Sequence, residues 1–141
     1  MAQLPTSASC PRQVAERIRD AARRAAPHEA CGVLGGHRHG DHVAVECWIE
    51  LGPGHPAVDA FSVDPAAFAR AEAGLRADGV SWVGFVHSHP GGAACPSVRD
   101  LQQLWRGCLH LVVGGRALRD IGAFWLQDSG ATELQWEESP S

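Results

Sequence analysis

The chain has 141 residues, a hydrophobic fraction of 45% and a formal net charge of −4. This length predicts one domain that can bury a core of its own. The acidic balance and the lack of a basic run argue against nucleic acid as a partner, and no apolar stretch reaches the roughly 20 residues that a membrane span requires.

The first third of the chain predicts a helix followed by two strands. Apolar residues at helical spacing predict a helix over residues 11–25. A short apolar run predicts a strand over 30–34, and alternating apolar and polar residues predict a second strand over 42–51. The glycine-containing segment 35–41 between them is typical of a hairpin turn.

The remainder predicts further helices and strands in alternation. Asp64 at the cap and Pro65 at the first position begin a helix that ends near residue 77. The other expected elements are a loop at 52–56, a strand ending at 86, a helix over 98–105, and strands over 109–113, 120–126 and 132–136. The order α-β-β-α-β-α-β-β-β predicts a single mixed α/β domain over residues 1–141, with its core at about 10–137 and a frayed tail from residue 137.

The cysteines indicate the compartment. Five of them are spread along the chain without a Cys-x-x-Cys pair, namely Cys10, Cys31, Cys47, Cys95 and Cys108. An odd number without regular spacing predicts reduced thiols and a cytoplasmic protein, although a disulfide between Cys95 and Cys108 stays open. The N-terminal residues also lack the charged and apolar regions of a signal peptide.

The most informative stretch ends an apolar run with two histidines. His87 and His89 are one residue apart, so a strand projects both from the same face, and Pro90 ends that strand. Asp100 falls one helical turn after Ser97 and can reach back towards the imidazoles. Two imidazoles and one carboxylate are the protein ligands of a catalytic zinc, which keeps a fourth position open for water. The pattern therefore predicts a zinc hydrolase.

Each part of this pattern also has a purely structural interpretation. Ser97-x-x-Asp100 is a helix capping box, and a His-x-His pair alone occurs at alternate strand positions without chemistry. A second pair, His37 and His39, lies in a glycine-flanked turn that favours a solvated hairpin. Cys95 is a further candidate ligand, but it is more typical of a partly buried thiol. The combination of elements at this spacing is what favours a metal site.

A zinc hydrolase also needs a general base that does not itself bind the metal. Glu29 directly precedes the predicted strand over 30–34, which can hold its carboxylate in place. By spacing alone Glu29 ranks no higher than Glu46 or Glu50, although those two face the polar side of their own strand.

Three segments together resemble the JAMM (MPN+) metallopeptidase family, and its compact prokaryotic members in particular. They are residues 27–36, 84–90 and 96–100. The family signature is a glutamate, then His-x-His-Pro, six residues and Ser-x-x-Asp, and every part is present here in order. The resemblance extends over nearly the whole chain. It implies an MPN/JAMM fold, a mixed curved β-sheet flanked by helices in a layout like that of cytidine deaminases.

The resemblance also implies roles and substrates. His87, His89 and Asp100 become ligands of Zn²⁺, Glu29 the general acid and base, and Ser97 the hydroxyl that stabilises the oxyanion. Members of the family hydrolyse peptide or isopeptide bonds after the C-terminal Gly-Gly of ubiquitin-like proteins. The compact bacterial members act on small sulfur-carrier proteins, which makes such a carrier the expected partner.

Other functions and assemblies stay open. A peptidase of the same fold could act on other peptides, and an MPN domain can serve as a non-catalytic scaffold, although scaffolds typically lose the ligands that are intact here. A related DNA-repair branch is disfavoured by the acidic charge. Trp136 fits either a homodimer interface or, more typically, packing against its own sheet.

Overall fold

The computed structural model of the protein describes residues 4–51 and 64–140. Its elements are β1 (Ser7–Pro11), α1 (Arg12–Ala25), β2 (Cys31–His39), β3 (His42–Glu50), α2 (Pro65–Ala77), β4 (Ser81–Ser88), α3 (Val98–Gln103), β5 (Leu109–Gly114), β6 (Asp120–Gln127) and β7 (Gly130–Ser139). A single 3-10 turn, Arg116–Leu118, lies between β5 and β6. All nine predicted elements are present, and the predicted loop at 52–56 lies outside the described residues.

Two of the element boundaries that differ from the predicted ones have a local explanation. β2 continues to His39, which pairs with His42 of β3, so the turn is only two residues long. Gly40 supplies the positive φ of 61° that such a tight hairpin needs. α3 ends at Gln103 rather than at residue 105, because Leu104 leaves the helix in an extended conformation and is buried.

The seven strands form one closed sheet in the order β1-β3-β2-β4-β5-β6-β7, with β1 parallel to both β3 and β7. The sequence did not predict β1, and the prediction of a frayed tail from residue 137 is wrong. Glu137 pairs with Ser9, and Ser139 pairs with Pro11. The fold class is confirmed as a mixed sheet with packed helices, and the curvature of that sheet extends to closure.

Two hydrophobic clusters fill the opposite faces of the sheet. The α1-side cluster includes Ile18 of α1 and Val86 of β4, while the α2-side cluster includes Leu75 of α2 and Phe85 of β4. Successive residues of β5 also alternate between the clusters, and all six residues of that strand are buried. Burial on both faces explains why β5 is apolar without alternation.

The remaining sequence predictions concern thiols and membranes. The five cysteines are free, so no disulfide joins Cys95, which is exposed, to Cys108, which is buried. Among the described helices, none has the length and apolar character needed to cross a membrane.

Candidate metal centre

The strand β4 and the residue that directly follows it supply two of the candidate ligands. Alternation along the strand puts His87 and His89 on the face of the α2-side cluster, and His87 is only 1% exposed. Ser88 faces the other way, where its hydroxyl accepts the Ala30 backbone N–H at 2.8 Å. Ala30 in turn accepts the Ser88 backbone N–H at 3.0 Å. These two bonds fix the backbone beside Glu29, the candidate base.

The helix α3 supplies the third candidate ligand through its cap. Ser97 Oγ accepts the Asp100 backbone N–H at 3.0 Å, and Asp100 Oδ2 accepts the Ser97 backbone N–H at 2.9 Å. This reciprocal capping box fixes both where the helix begins and where the carboxylate points. The structural and the metal-binding interpretations of Ser97-x-x-Asp100 are therefore compatible, because the cap aims Asp100 at the histidines.

Three side-chain atoms that can bind a metal lie close to one another. His87 Nε2 lies 3.1 Å from His89 Nε2 and 3.1 Å from Asp100 Oδ2. His89 Nε2 lies 3.0 Å from the same carboxylate oxygen. Glu29 Oε1 stands farther out, 3.9 Å from His89 Nε2, and its donor atom lies within 4.8 Å of those of both histidines.

The three atoms His87 Nε2, His89 Nε2 and Asp100 Oδ2 form a triangle, and its dimensions fit a zinc site. Four ligands placed tetrahedrally at the usual 2.0–2.1 Å from zinc lie about 3.3 Å apart, close to the 3.0–3.1 Å separations here. A proton can join only one pair of the three atoms at a time, whereas a central cation is shared by all of them. A metal held by these three residues alone would keep a coordination position open, as in catalytic rather than structural zinc sites.

The protonation behaviour of the cluster is consistent with an anionic Asp100. Burial alone would raise the pKa of this carboxyl, but hydrogen bonds from His87 and His89 outweigh burial and hold the pKa well below its usual range. In return, the hydrogen bond to Asp100 raises the pKa of His89, against the opposing effect of burial. The carboxylate is thus charged under all physiological conditions and ready to bind a cation.

A hydrogen bond to the loop that follows β4 orients His89. Its Nδ1 donates to the Ala93 carbonyl oxygen at 3.3 Å, which leaves Nε2 as the nitrogen that faces the triangle. The loop carrying Ala93 lies directly on β5 and β6. A Cβ on Gly114 would sit 2.6 Å from the Ala93 oxygen, and one on Gly122 would sit 2.2 Å from the Ala94 oxygen. Glycine at both positions therefore lets the loop lie close enough to hold the histidine.

A family profile for prokaryotic homologs of the JAB domain matches residues 11–127 of this chain. The chain belongs to the Prok-JAB family. The match covers the region that contains Glu29 and the whole His87–Asp100 signature, and it confirms the resemblance to JAMM (MPN+) proteins.

One curated relative of this Prok-JAB chain comes from Thermus thermophilus. The two are 38% identical over 98 residues, which is 68% of this chain and 63% of the relative. The chain therefore spans less than two thirds of that protein's length. The relative bears the name "Probable TtuB-protein conjugate cleaving protease".

Solved structures show the same fold. A solution structure from Desulfitobacterium hafniense has a TM-score of 0.79 and 27% identity, covering 95% of this chain and 94% of that one. A protein from Salinibacter ruber has a TM-score of 0.70 and 19% identity, covering 93% and 91%. A JAB1/MPN domain protein from Archaeoglobus fulgidus has a TM-score of 0.56 and 22% identity, covering 94% and 100%.

Two histidines of the β2–β3 hairpin lie apart from this triangle in the Prok-JAB domain. His37 Nε2 is 3.2 Å from Glu46 in the β2–β3 hairpin. His42 sits between two hydroxyls, with Ser7 Oγ 2.7 Å from Nδ1 and Ser9 Oγ 2.8 Å from Nε2. Each has polar partners of its own, and none of these contacts involves the triangle.

Glu50 and Trp136, which the sequence also singled out, contact other residues of their own parts of the fold. Glu50 is paired with Arg24 at 3.8 Å. Trp136 packs on the α1-side cluster of its own sheet, and its indole N–H donates to Glu138 at 3.0 Å. Sequence reasoning missed Gly114 and Gly122, whose role depends on a loop that passes over them from elsewhere in the chain.

Proposed function

We propose that this Prok-JAB domain is a zinc-dependent peptidase that hydrolyses the amide bond after the C-terminal Gly-Gly of a ubiquitin-like or sulfur-carrier protein. The observation that carries the proposal is the triangle of His87 Nε2, His89 Nε2 and Asp100 Oδ2, with Glu29 beside it. The name of the Thermus relative, "Probable TtuB-protein conjugate cleaving protease", supports the choice of substrate class. A reducing cytoplasm suits the five free thiols.

His87, His89 and Asp100 would hold the metal, which supplies Lewis acidity for the carbonyl and a water that loses its proton near neutral pH. Glu29 takes the proton of the attacking water and delivers it to the leaving amine. Its carboxylate is half-buried and stands outside the triangle, so it can work beside the ligands without being one of them.

Ser97 stabilises the oxyanion of the tetrahedral intermediate. Its Oγ already accepts the backbone N–H of Asp100, so the oxygen is fixed, while its O–H proton remains available to donate to substrate. Since the same serine begins α3, the cap places this donor and the ligand Asp100 in one rigid unit.

The limited exposure of the site favours a Gly-Gly substrate over an unrestricted peptide. His89 and Asp100 have side chains only 17% and 13% exposed, so the scissile bond must approach a recessed centre. The two glycines before that bond have no side chains, and they therefore permit such an approach. A peptidase for other peptides remains the second candidate, while the presence of every donor in the triangle disfavours a non-catalytic scaffold.

The first test measures zinc per chain for wild type, Asp100→Asn and Glu29→Gln. Asparagine keeps an oxygen for the Ser97 cap but removes the charge, so we expect about one zinc in wild type and in Glu29→Gln, and little in Asp100→Asn. Zinc retained by Asp100→Asn would contradict the ligand set.

The second test uses carrier proteins extended by a short peptide after Gly-Gly. Wild type should release the extension, whereas Glu29→Gln, loaded with zinc, should be slower by a factor of about 100 or more. Cleavage of Ala-Ala fusions as fast as Gly-Gly fusions would favour the second candidate. Loaded wild type that cleaves neither fusion would favour the scaffold.

A further inference from the structure

A cavity of about 690 Å³ opens beside the loop that follows His89. It is lined by Arg23 of α1, by Ala26 just after that helix, by the loop 90–93 and by the turn 115–118. Its size is typical of sites for small ligands and far too small for a folded carrier protein. Whatever enters it must be a short, flexible group.

One wall of the cavity is the loop that orients His89. Gly92 N–H donates to the His89 carbonyl at 2.9 Å, and His89 Nδ1 donates to the Ala93 carbonyl. The opposite wall is tied to this loop, because Gly115 N–H donates to the Gly92 carbonyl at 2.7 Å. The cavity is therefore lined by the segment that directly follows His89, and one of its lining residues, Ala93, accepts the His89 hydrogen bond.

Two arginines, Arg23 and Arg116, line the cavity, although the net charge of the chain is −4. The guanidinium of Arg23 already has partners within the protein, since Nε donates to the Ala117 carbonyl at 3.0 Å and Nη1 contacts Asp20 at 3.2 Å. Arg116 makes no ion pair within the described part of the chain. Asp120 packs against Gly115 nearby, but it is not paired with Arg116. The guanidinium of Arg116 is thus the charge available to a ligand.

The turn that presents Arg116 is strained. Ala117 has φ 56° and ψ 24°, and Leu118 has φ 53°, left-handed conformations that are unfavourable for residues other than glycine. Two contacts stabilise the turn in this conformation. Leu118 is buried in the α1-side cluster, and Arg23 binds the Ala117 carbonyl. A strained conformation fixed by its neighbours is typical of a ligand-binding segment.

We propose that this cavity receives the group released by cleavage and that Arg116 binds a carboxylate on that group. The inference rests on the proposed function. The Gly-Gly tail has its terminal carboxyl inside the amide bond and so offers no charge, which means that a carboxylate must belong to the part released. Its source is either the α-carboxylate of a single added residue or the side chain of an acidic residue after the scissile bond.

Cleavage of matched carrier substrates tests the pocket and separates the two sources. The first pair of substrates tests the α-carboxylate. One carrier ends in Gly-Gly-Ala with a free carboxylate, and the other ends in the same sequence with that carboxylate converted to an amide. The side-chain arm compares Gly-Gly-Glu-amide with Gly-Gly-Gln-amide. We expect kcat/KM to favour the charged member of one pair about ten-fold, as a charged hydrogen bond would.

Arg116→Gln should abolish this preference, whereas Arg119→Gln should keep it, because Arg119 is exposed and does not line the cavity. Equal rates within both pairs in wild type would overturn the proposal even if every Gly-Gly substrate is cleaved. A preference that survives in Arg116→Gln would also overturn it.

Binding to metal-free protein provides a readout that does not depend on catalysis. Alanine and glutamate amide carry the two kinds of carboxylate, and alaninamide, which has the same amino group but no carboxylate, serves as the control. At millimolar concentration, one of the two carboxylates should shift the backbone amide signals of Gly91, Gly92 and Gly115 in a nitrogen-15 NMR spectrum, and alaninamide should not.

The shifts should disappear in Arg116→Gln and persist in Arg119→Gln. If they occur without any cleavage of Gly-Gly fusions, the proposed function fails while the carboxylate site stands. Absence of shifts with both carboxylates, together with equal cleavage rates, would refute the site alone.

Discussion

The buried histidine His110 should make the stability of this protein depend on pH between neutrality and pH 4. Its side chain is fully buried, stacked on Phe85 at 5.9 Å, and Nε2 lies 2.6 Å from the Trp105 carbonyl oxygen. In the neutral tautomer with hydrogen on Nε2, the ring donates to that carbonyl. Cys108 Sγ is a further neighbour at 3.4 Å.

Burial lowers the pKa of His110 from 6.5 to about 4, despite the opposing effect of its bond to Trp105. Below pH 6.5 the unfolded chain therefore takes up a proton that the folded protein does not. The stabilisation is complete above pH 6.5 and is lost progressively as the pH falls towards 4. A change of this size in pKa corresponds to about 3 kcal/mol of the free energy of unfolding.

The assay is denaturant unfolding followed by tryptophan fluorescence, with a chelator present, for wild type and His110→Gln. Glutamine keeps a donor for the Trp105 carbonyl but does not titrate. The other titrating groups are common to both proteins and cancel in the comparison. The stability advantage of wild type should shrink by about 3 kcal/mol between pH 7 and pH 4. An advantage that is equal at both pH values would refute the reasoning.

Further predictions concern packing, the metal loop and one ion pair. Gly84→Ala should cost more than about 3 kcal/mol in denaturant unfolding, because its Cβ would lie 1.9 Å from a β5 carbonyl. Gly74→Ala, with 3.9 Å of space, should stabilise α2 by up to about 1 kcal/mol, and a loss there would contradict this. Gly114→Ala should weaken zinc binding about 10- to 100-fold in chelator competition by displacing the loop that orients the second histidine, and unchanged affinity would show that the loop does not matter. Glu138→Gln should cost about 1–2 kcal/mol at pH 7, where the charged form binds Arg19. Because Arg19 lowers the pKa of Glu138, this cost should disappear as the pH falls below 4.5, and a cost that persists at pH 2 would count against the pair.

The geometry of the triangle was largely predictable because its three members are close in sequence. Strand alternation places His87 and His89 on one face, and the capping box at Ser97 aims Asp100. Both are local rules that need no knowledge of the rest of the fold. Glu29 is different, since its place depends on the bonds between Ala30 and a residue 58 positions later. Spacing alone could not choose it, and only the family resemblance did.

The closure of the sheet was not predictable by the same rules. β1 is a five-residue strand whose partners begin 35 residues away in β3 and 128 residues away in β7. Parallel pairing between the two ends of a chain has no turn signal to reveal it. The same limit applies to Gly122, whose small size matters only because the Ala94 carbonyl passes over it.

The unpredicted closure nevertheless contributes to the site through α1. Arg19 binds Glu138 at the end of β7, with Nη1 2.9 Å from Oε1, and its Nε donates to the Arg119 carbonyl at 2.8 Å. One turn later, Arg23 binds the Ala117 carbonyl. The strained turn beside the cavity is therefore held by a helix that is itself fixed to the C-terminal strand. Since that turn is bonded through Gly115 to the loop after His89, long-range strand pairing and the local signature act together on the same few residues.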